Sequence, residues 1–284
     1  MKKYIVLDSN IIVSFFEGGF SLVQQKGEIS SSEEISIFEF LYTALEANQL
    51  DLILPEVVIL ECERIKEEMK ESLSKLYDSA FKSAKEASIP PNKKISSSSI
   101  DKINRVYDST RDEAIQNIEY AWGVFNKISE SKNTHIVPLD EEILLNAYRR
   151  GLMGKRPFVM RYSNSKDPDL SNKPIHDIQP DCVIVESVKF FIKGAEKGEL
   201  YLATNDNNFF SSMEKTAIHT DIQAELKANK FYLALSDLLQ DVLGLKIPPK
   251  KEPKDVTTSD AYPVTIKSVT DEGKGVDTVE VAKG

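Results

Sequence analysis

Residues that staple small folds or bind transition metals are scarce in this chain of 284 residues. It has two cysteines, Cys62 and Cys182, which lie far apart and lack the short spacing of cysteine metal sites. We expect both to be buried thiols in a reducing compartment. The three histidines, His135, His176 and His219, stand in unrelated contexts, which argues against a histidine-rich zinc site.

Long apolar stretches and targeting signals are also lacking. No uncharged apolar run approaches the roughly 18 residues that a membrane span needs. The chain starts with Met and two lysines followed by a strand-like run, which is not the profile of a signal peptide. No serine or cysteine nucleophile motif and no Walker-type phosphate loop is present. These absences predict a cytoplasmic protein, and its 41% of hydrophobic residues can bury a sizeable core.

Acidic residues outnumber basic ones, 45 against 36, which gives a net charge of −9. This excess argues against bulk attraction to a polyanion, although a basic patch or a bound cation can dominate locally. The stretch 149–173 is such a patch, because it contains seven basic and two acidic residues. A charge run usually marks a solvated surface, but this one is the best candidate in the chain for contacting phosphate.

Apolar β-prone runs alternate along the chain with segments of helical periodicity. We predict strands at 4–7, 50–54, 135–139, 200–204 and 231–235, and helices at 56–87, 100–129, 140–148, 180–194 and 236–243. Such alternation predicts a parallel sheet covered by helices. The two long helices are predicted to form a helical hairpin inserted into this α/β domain, at about 62–134.

We predict a domain boundary near residue 245. The α/β domain would occupy 1–245, and after Pro248 and Pro249 the composition changes to a tail rich in lysine, aspartate, threonine and glycine. In this tail, 246–284, the segments 262–269 and 276–281 could pair as a β-hairpin, and disorder is an equally good prediction.

The first apolar run stops at a carboxylate, Asp8, and a helical pattern follows it. In open α/β sheets, functional groups gather just beyond the C-terminal ends of strands, where Asp8 would lie. A simpler interpretation is that Asp8 only caps the following helix.

Glu61 lies on an apolar helical face, because it is spaced four residues from Val57 and from Ile65 along the same side. A charge on such a face is costly unless it is paired with a base or binds a metal. An ion pair with a lysine or arginine is therefore the structural alternative to metal binding.

Two further carboxylates occupy comparable places. Asp181 lies in the first turn of a helix, where the helix dipole favours an acid and a structural role is credible. Asp177 is a competing candidate, and Glu186 is a weaker one because it lies more than a turn into the helix. Asp206 directly follows a predicted strand in an asparagine-rich turn, which is also a normal loop composition.

Acids at strand ends and early helical turns converge on one edge of a parallel sheet. Carboxylates brought together repel each other and take up protons unless a cation neutralises them. Mg²⁺ and Mn²⁺ prefer such oxygen ligands. A metal held this way can activate a bound water and stabilise charge on a phosphate.

The ordered motifs of this chain resemble those of PIN domains. Four segments carry the likeness: 4–10, 54–61, 181–185 and 202–206. Their acids follow the order of the family's metal-binding acids: Asp8, Glu61, Asp181 and Asp206. Ser9 replaces the more common threonine but keeps a hydroxyl, and Asn208 stands where the family can carry a further acid. The likeness covers about 1–245, and the basic stretch is similar to a longer bacterial PIN-like branch.

This resemblance implies a Rossmann-like three-layer α/β/α fold with a five-stranded parallel sheet. It also implies that the four acids hold one or two Mg²⁺ or Mn²⁺ ions and that a metal-bound water cleaves the backbone of single-stranded RNA. Four polar side chains would orient ligands or water: Ser9, Asn10, Thr204 and Asn208. Three basic residues would steer the substrate: Arg149, Arg150 and Lys173.

Three other functions fit parts of the pattern. A haloacid-dehalogenase-like phosphatase also begins with a strand ending in aspartate, but its chemistry needs a second aspartate where this chain has Asn10. A non-catalytic RNA-binding or scaffold protein could use the long insertion and the tail for partners, although all four acids are present. A toxin silenced by a partner protein is less well supported, because the small toxins of the family are much shorter.

Overall fold

The computed structural model describes residues 1–21, 33–87, 97–159, 161–162, 174–175 and 178–244. The tail predicted at 246–284 lies outside these ranges, so its predicted hairpin or disorder stays a prediction. Within the described ranges, no helix combines the length and the apolar character that crossing a bilayer requires.

The described residues form seven strands and eight helices. The strands are β1 (Lys2–Leu7), β2 (Asp51–Pro55), β3 (Thr134–Val137), β4 (Arg161–Tyr162), β5 (Pro174–Ile175), β6 (Gly198–Ala203) and β7 (Lys230–Tyr232). The helices are α1 (Ser9–Ser21), α2 (Glu33–Glu46), α3 (Glu56–Ala87), α4 (Ser97–Ser129), α5 (Glu141–Leu152), α6 (Pro180–Gly194), α7 (Thr220–Leu226) and α8 (Leu235–Leu243). A 3₁₀ turn, Asn207–Phe209, follows β6.

Five of the strands form one parallel sheet in the order β3-β2-β1-β6-β7. The central strands are apolar along nearly their whole length because helices cover both faces, which leaves no solvent-facing side. This confirms the predicted five-stranded parallel sheet in a three-layer α/β/α fold. The two remaining strands, β4 and β5, pair with each other as a short antiparallel ribbon.

Several predicted helices agree closely with the structure, and others do not. The long helices α3 and α4 match their predictions, and a small second core lies between them, formed by Leu73, Ala114 and Ile118. The prediction missed α2 and α7, and it ended α5 too early. The predicted helix ends at residue 148, but the first four residues of the basic stretch, 149–152, continue α5, whose buried side ends with Arg150 and Gly151.

The strand order places a topological switch point between β1 and β6. After β1 the chain builds β2 and β3 on one side, and later it returns to build β6 and β7 on the other side. At such a point the connections leave in opposite directions and open a crevice beyond the C-terminal strand ends. Leu7 pairs with Ala203 in the ladder, so the residues that follow both strands, starting with Asp8 and Thr204, lie at this crevice.

β1 and β6 approach each other closely at Gly198, which allows a prediction about a substitution at this position. A Cβ at this position would lie 2.7 Å from the carbonyl oxygen of Lys2 and 2.6 Å from the ring of Tyr4. We expect Gly198→Ala to lower the free energy of unfolding by about 1–3 kcal/mol, because backbone and ring must move apart. Urea denaturation measures this change.

The control is Gly123→Ala, in the middle of α4, where no atom lies within 4 Å of the added methyl group. Removing a glycine from a helix interior should raise the free energy of unfolding by about 0.5–1 kcal/mol. If both variants shift stability in the same direction, the packing described for Gly198 is incorrect.

Candidate active site

Asp8 is fixed at the end of the β1–β6 ladder. Its backbone N–H donates to the carbonyl of Ala203 at 3.0 Å, and the residue is only 1% exposed. Oδ2 accepts a hydrogen bond from the Thr204 hydroxyl at 2.7 Å, and Oδ1 accepts one from Ser9 at 3.3 Å. The carboxylate is therefore held between the first turn of α1 and the end of β6.

Thr204 links Asp8 to the loop that follows β6. Its hydroxyl also accepts a hydrogen bond from the backbone N–H of Asp206 at 3.1 Å. The Asp206 carboxylate accepts from the N–H of Asn208 at 2.7 Å and thereby caps the 3₁₀ turn. The Asn208 side-chain amide donates to Asp181 Oδ2 at 3.3 Å, so one chain of hydrogen bonds joins three of the four acids.

Glu61 approaches the same place from α3. Burial, the largest influence, raises the pKa of Glu61, while a hydrogen bond from Ser9 and the nearby charge of Arg64 oppose the rise. Ser9 thus stands between Glu61 and Asp8. Among the described residues no lysine or arginine forms an ion pair with Glu61, and Arg64 pairs with Glu68 at 2.6 Å instead.

Asp8 and Asp181 also have raised pKa values. Burial raises the pKa of Asp8 to about 6, with the Thr204 hydrogen bond opposing and the charge of Asp206 adding to the rise. Burial, followed by the charges of Asp8 and Asp206, raises the pKa of Asp181 to about 7, with a smaller contribution from Glu61. These influences mean that the four carboxyls lie within electrostatic range of one another.

The donor set fits a hydrated hard cation. Within the described ranges, no three acidic, histidine or cysteine side chains are arranged so that they could hold one ion together. Mg²⁺ usually binds through one or two carboxylates and keeps several of its waters, so it does not require such a cage. Glu61 Oε2 and Asn10 Oδ1 are buried without a hydrogen-bond partner, and buried acceptors are costly until a cation or water satisfies them.

The polar residues predicted to orient ligands or water take different positions. Ser9, Thr204 and Asn208 all belong to the hydrogen-bonded chain described above. Asn10 lies in the first turn of α1, and its side-chain oxygen, like Glu61 Oε2, is buried without a hydrogen-bond partner among the described residues. Their roles toward a metal remain predictions, as do those of the four acids.

The position of Arg150 contradicts the prediction that this residue steers the substrate. It is only 3% exposed, and its guanidinium binds Glu186 at 2.8 Å, Glu225 and the carbonyl of Arg156. A guanidinium enclosed in this network is not available to a substrate, so Arg150 is a structural residue that joins α5, α6 and α7. The same network explains Glu186, whose carboxylate faces away from solvent into an ion pair.

The other residues of the basic stretch are less constrained. Arg149 is exposed near the end of α5, with a long contact of 3.5 Å to Asn146, and its contribution to substrate binding stays a prediction. Lys173 and the competing acid Asp177 lie outside the described residues.

The structure adds two residues that the sequence reasoning missed. Arg64 lies three residues after Glu61 on the same side of α3, with its side chain 58% exposed. That spacing was visible in the sequence and could have identified it. Gln179 is 2% exposed just before Asp181 and binds the backbone of Val159 with its side chain, for which the sequence holds no signal.

Comparison with known protein families gives a match over most of the chain. The profile of the PIN domain family matches residues 5–209, a region that contains all four acids. The chain belongs to the PIN domain family. PIN domains are generally metal-dependent nucleases and usually bind nucleic acid. A search of curated proteins and a search of solved structures each found no match.

The burial of Asp8 beside other acids of this PIN domain allows a prediction about the stability of the metal-free protein. The pKa of Asp8 is raised from 3.8 to about 6, so ionisation of Asp8 opposes folding. This cost is absent below the ordinary value and complete above the raised one. We expect Asp8→Asn, in the presence of a chelator at pH 7.5, to raise the free energy of unfolding by about 1–3 kcal/mol. The gain should shrink toward pH 4, as followed by urea denaturation.

Asp241→Asn is the control with the opposite expectation. Asp241 accepts hydrogen bonds from Lys230 and Tyr232, which lower its pKa, so neutralising it should bring no gain in stability. If Asp8→Asn is no more stable than the natural protein at pH 7.5, the proposed crowding of charge is incorrect.

Proposed function

We propose that this PIN domain is a metal-dependent endoribonuclease that hydrolyses phosphodiester bonds of single-stranded RNA. The observation that carries the proposal is the hydrogen-bonded chain from Asp8 through Thr204 and Asp206 to Asp181, at the switch point of the sheet. One buried and three half-buried acids at this location suit the binding of a divalent cation and a phosphate better than they suit the stability of the fold alone.

Each acid has a distinct place in the proposal. Asp8 is the most buried and the best fixed, so it would hold the metal, which is Mg²⁺ or Mn²⁺, in a constant position. Asp206 and Asp181 would bind the ion or its waters, and Glu61 would do so with its unpartnered oxygen. When bound, such an ion supplies an activated water and positive charge beside the phosphate.

The surrounding polar groups would keep the acids in orientation. Thr204 donates to Asp8 and accepts from the backbone N–H of Asp206, so its hydroxyl would hold the Asp8 carboxylate against the start of the loop that carries Asp206. Asp206 accepts from Asn208 through Oδ1, and its Oδ2 would serve a ligand. Ser9 would direct Glu61 toward Asp8. Asn208 would orient Asp181, since its amide donates to that carboxylate.

Arg64 is the basic residue best placed to contact the substrate. It is exposed, and its charge already acts on Glu61 from one helical turn away. Its ion pair with Glu68 is solvent-exposed on both sides, so exchanging that partner for a phosphate costs little. A basic side chain such as Arg64 beside the crevice would offset the repulsion between an acidic protein and RNA.

Cleavage of labelled single-stranded RNA tests the proposal. The natural protein should cut the RNA with Mn²⁺ or Mg²⁺, and a chelator should stop the reaction. Asp8→Asn and Asp181→Asn should each reduce the rate by at least about 100-fold, the scale on which a single electrostatic group acts in catalysis. Asp221→Asn replaces a partly exposed acid of α7; it serves as the control and should retain the rate.

Assays with other substrates distinguish the alternative functions. Single-stranded DNA in the same assay decides whether RNA is preferred, and a small phosphomonoester tests the phosphatase. Binding of Mn²⁺ by calorimetry, together with RNA binding but no cleavage, would identify a non-catalytic RNA-binding protein. Equal cleavage by the natural protein and by Asp8→Asn would rule out the proposed site.

The contribution of Arg64 is tested by RNA binding. In the Asp8→Asn background, which leaves the RNA intact, Arg64→Gln should weaken binding of a fluorescent oligonucleotide at low salt. If one phosphate contact is lost, the slope of log K against log salt should fall by about 0.7.

Lys75→Gln is the matched control, because Lys75 lies on the same helix and forms a similar exposed pair with Glu71 at 2.6 Å. Both substitutions remove one positive charge and one ion pair. An equal change of the salt slope in both variants would show that Arg64 acts only through the net charge.

A further inference from the structure

The start of α6, which carries Asp181, is built in an unusual way. Gln179 occupies the N-cap position, where serine, threonine, aspartate or asparagine usually bind the free amides with their side chains. Here the side chain makes no capping hydrogen bond. The backbone carbonyl of Gln179 alone accepts from the amides of Cys182 and Val183, at 3.0 and 3.2 Å.

The side chain of Gln179 is used elsewhere. Its Oε1 accepts from the N–H of Val159 at 3.0 Å, and its Nε2 donates to the carbonyl of Val159 at 2.6 Å. The residue is 2% exposed, so water cannot replace either partner. Breaking such buried hydrogen bonds leaves donors and acceptors unsatisfied, which makes this double contact a firm connection.

The contact joins the two ends of a long connection. The chain leaves Val159, passes through the ribbon of β4 and β5, and returns to Gln179. Two residues later comes Asp181, with Pro180 between them at the first helical position, where its fixed φ suits the helix. The place of Asp181 is therefore set within one turn by the anchor at Gln179.

The chain on the two sides of Asp181 is held in different ways. Cys182 and Val183, which follow it, are buried in the core and fix the backbone of the first turn of α6. The carboxylate of Asp181 accepts a long hydrogen bond of 3.3 Å from Asn208, and the three carboxyls around it repel it. The contact of Gln179 with Val159 would therefore fix the chain that enters α6 just before Asp181 and so limit the movement of its side chain away from Asp8.

We propose that Gln179 is a positioning residue that holds Asp181 within reach of the ion bound at Asp8 and Asp206. This inference rests on the proposed function, because Gln179 would affect catalysis through the bound metal. The direct effect of replacing Gln179 would be a change in metal affinity. Residues that orient metal ligands typically change the affinity by 10–100-fold when they are replaced.

Two variants of the full chain distinguish an effect on the position of Asp181 from an effect on the stability of α6. Gln179→Met keeps the size of the side chain and loses both hydrogen bonds to Val159. Gln179→Asn gives α6 a side chain that favours the N-cap position but is too short to hold Val159 in the same way. The readouts are the Kd for Mn²⁺ by calorimetry, the Tm of the metal-free protein, and hydrogen exchange at the amides of Cys182 and Val183.

Asn229→Leu is the matched control. Asn229 also binds the backbone of a neighbouring segment through its side chain, accepting from the N–H of Leu200 at 2.8 Å. It precedes β7, at the edge of the sheet opposite the site. Its loss should lower the Tm and leave the Kd for Mn²⁺ unchanged.

We expect both Gln179 variants to weaken Mn²⁺ binding by about 10-fold or more. Gln179→Asn should do so with a Tm at least as high as that of Gln179→Met, and Gln179→Met should show faster exchange at Cys182 and Val183. If both Gln179 variants bind Mn²⁺ as tightly as the natural protein does, the inference is overturned. It is also overturned if Asn229→Leu weakens Mn²⁺ binding to the same extent. A natural protein that binds Mn²⁺ without cleaving RNA would overturn the proposed function and leave this comparison intact.

Discussion

The enclosure of one carboxylate beside other acids is the constraint on which the arrangement of this molecule depends. Asp8 is almost fully buried, which makes its ionisation unfavourable, and the charges of Asp206 and Glu61 add to this effect. A fold can hold such a group only where the surrounding elements cannot move away. Here the strand ladder fixes Asp8 from one side, and the hydroxyl of Thr204 fixes it from the other.

The elements around the acids differ in how firmly they are held. The ends of β1 and β6 belong to the centre of the sheet, whose apolar residues are fully buried, so Asp8 and Asp206 start from rigid positions. The start of α6 is held by the core packing of Cys182 and Val183, by the contact of Gln179 with Val159, and further along by the Arg150–Glu186 pair. Removing one partner of a buried ion pair leaves the other charge uncompensated, so Arg150 contributes to the fold although its charge first suggested a substrate contact.

The sequence predicted some parts of the structure better than others for identifiable reasons. Buried parallel strands consist of short apolar runs, and all five could be recognised within a few residues. The long helices α3 and α4 could be recognised because their apolar positions repeat at helical intervals. The short helix α7 has too few residues for such a repeat, and α2 follows a stretch without a clear pattern. Arg149 and Arg150 are adjacent in the chain, yet helical geometry exposes the first and buries the second.

The sequence by itself determined the order of the five strands of the sheet and the long helices between them, because local apolar patterns are encoded by neighbouring residues, and it singled out four acids as candidates. Tertiary structure decided which charges are paired and which are left facing the crevice. Glu186 and Glu61 are both acids on partly apolar helical faces. Among the described residues, Glu186 forms an ion pair with an arginine 36 residues away, and Glu61 forms none. Contacts between distant segments depend on how the elements pack, and this packing enclosed Arg150 in an ion-pair network and left Glu61 unpaired beside Asp8.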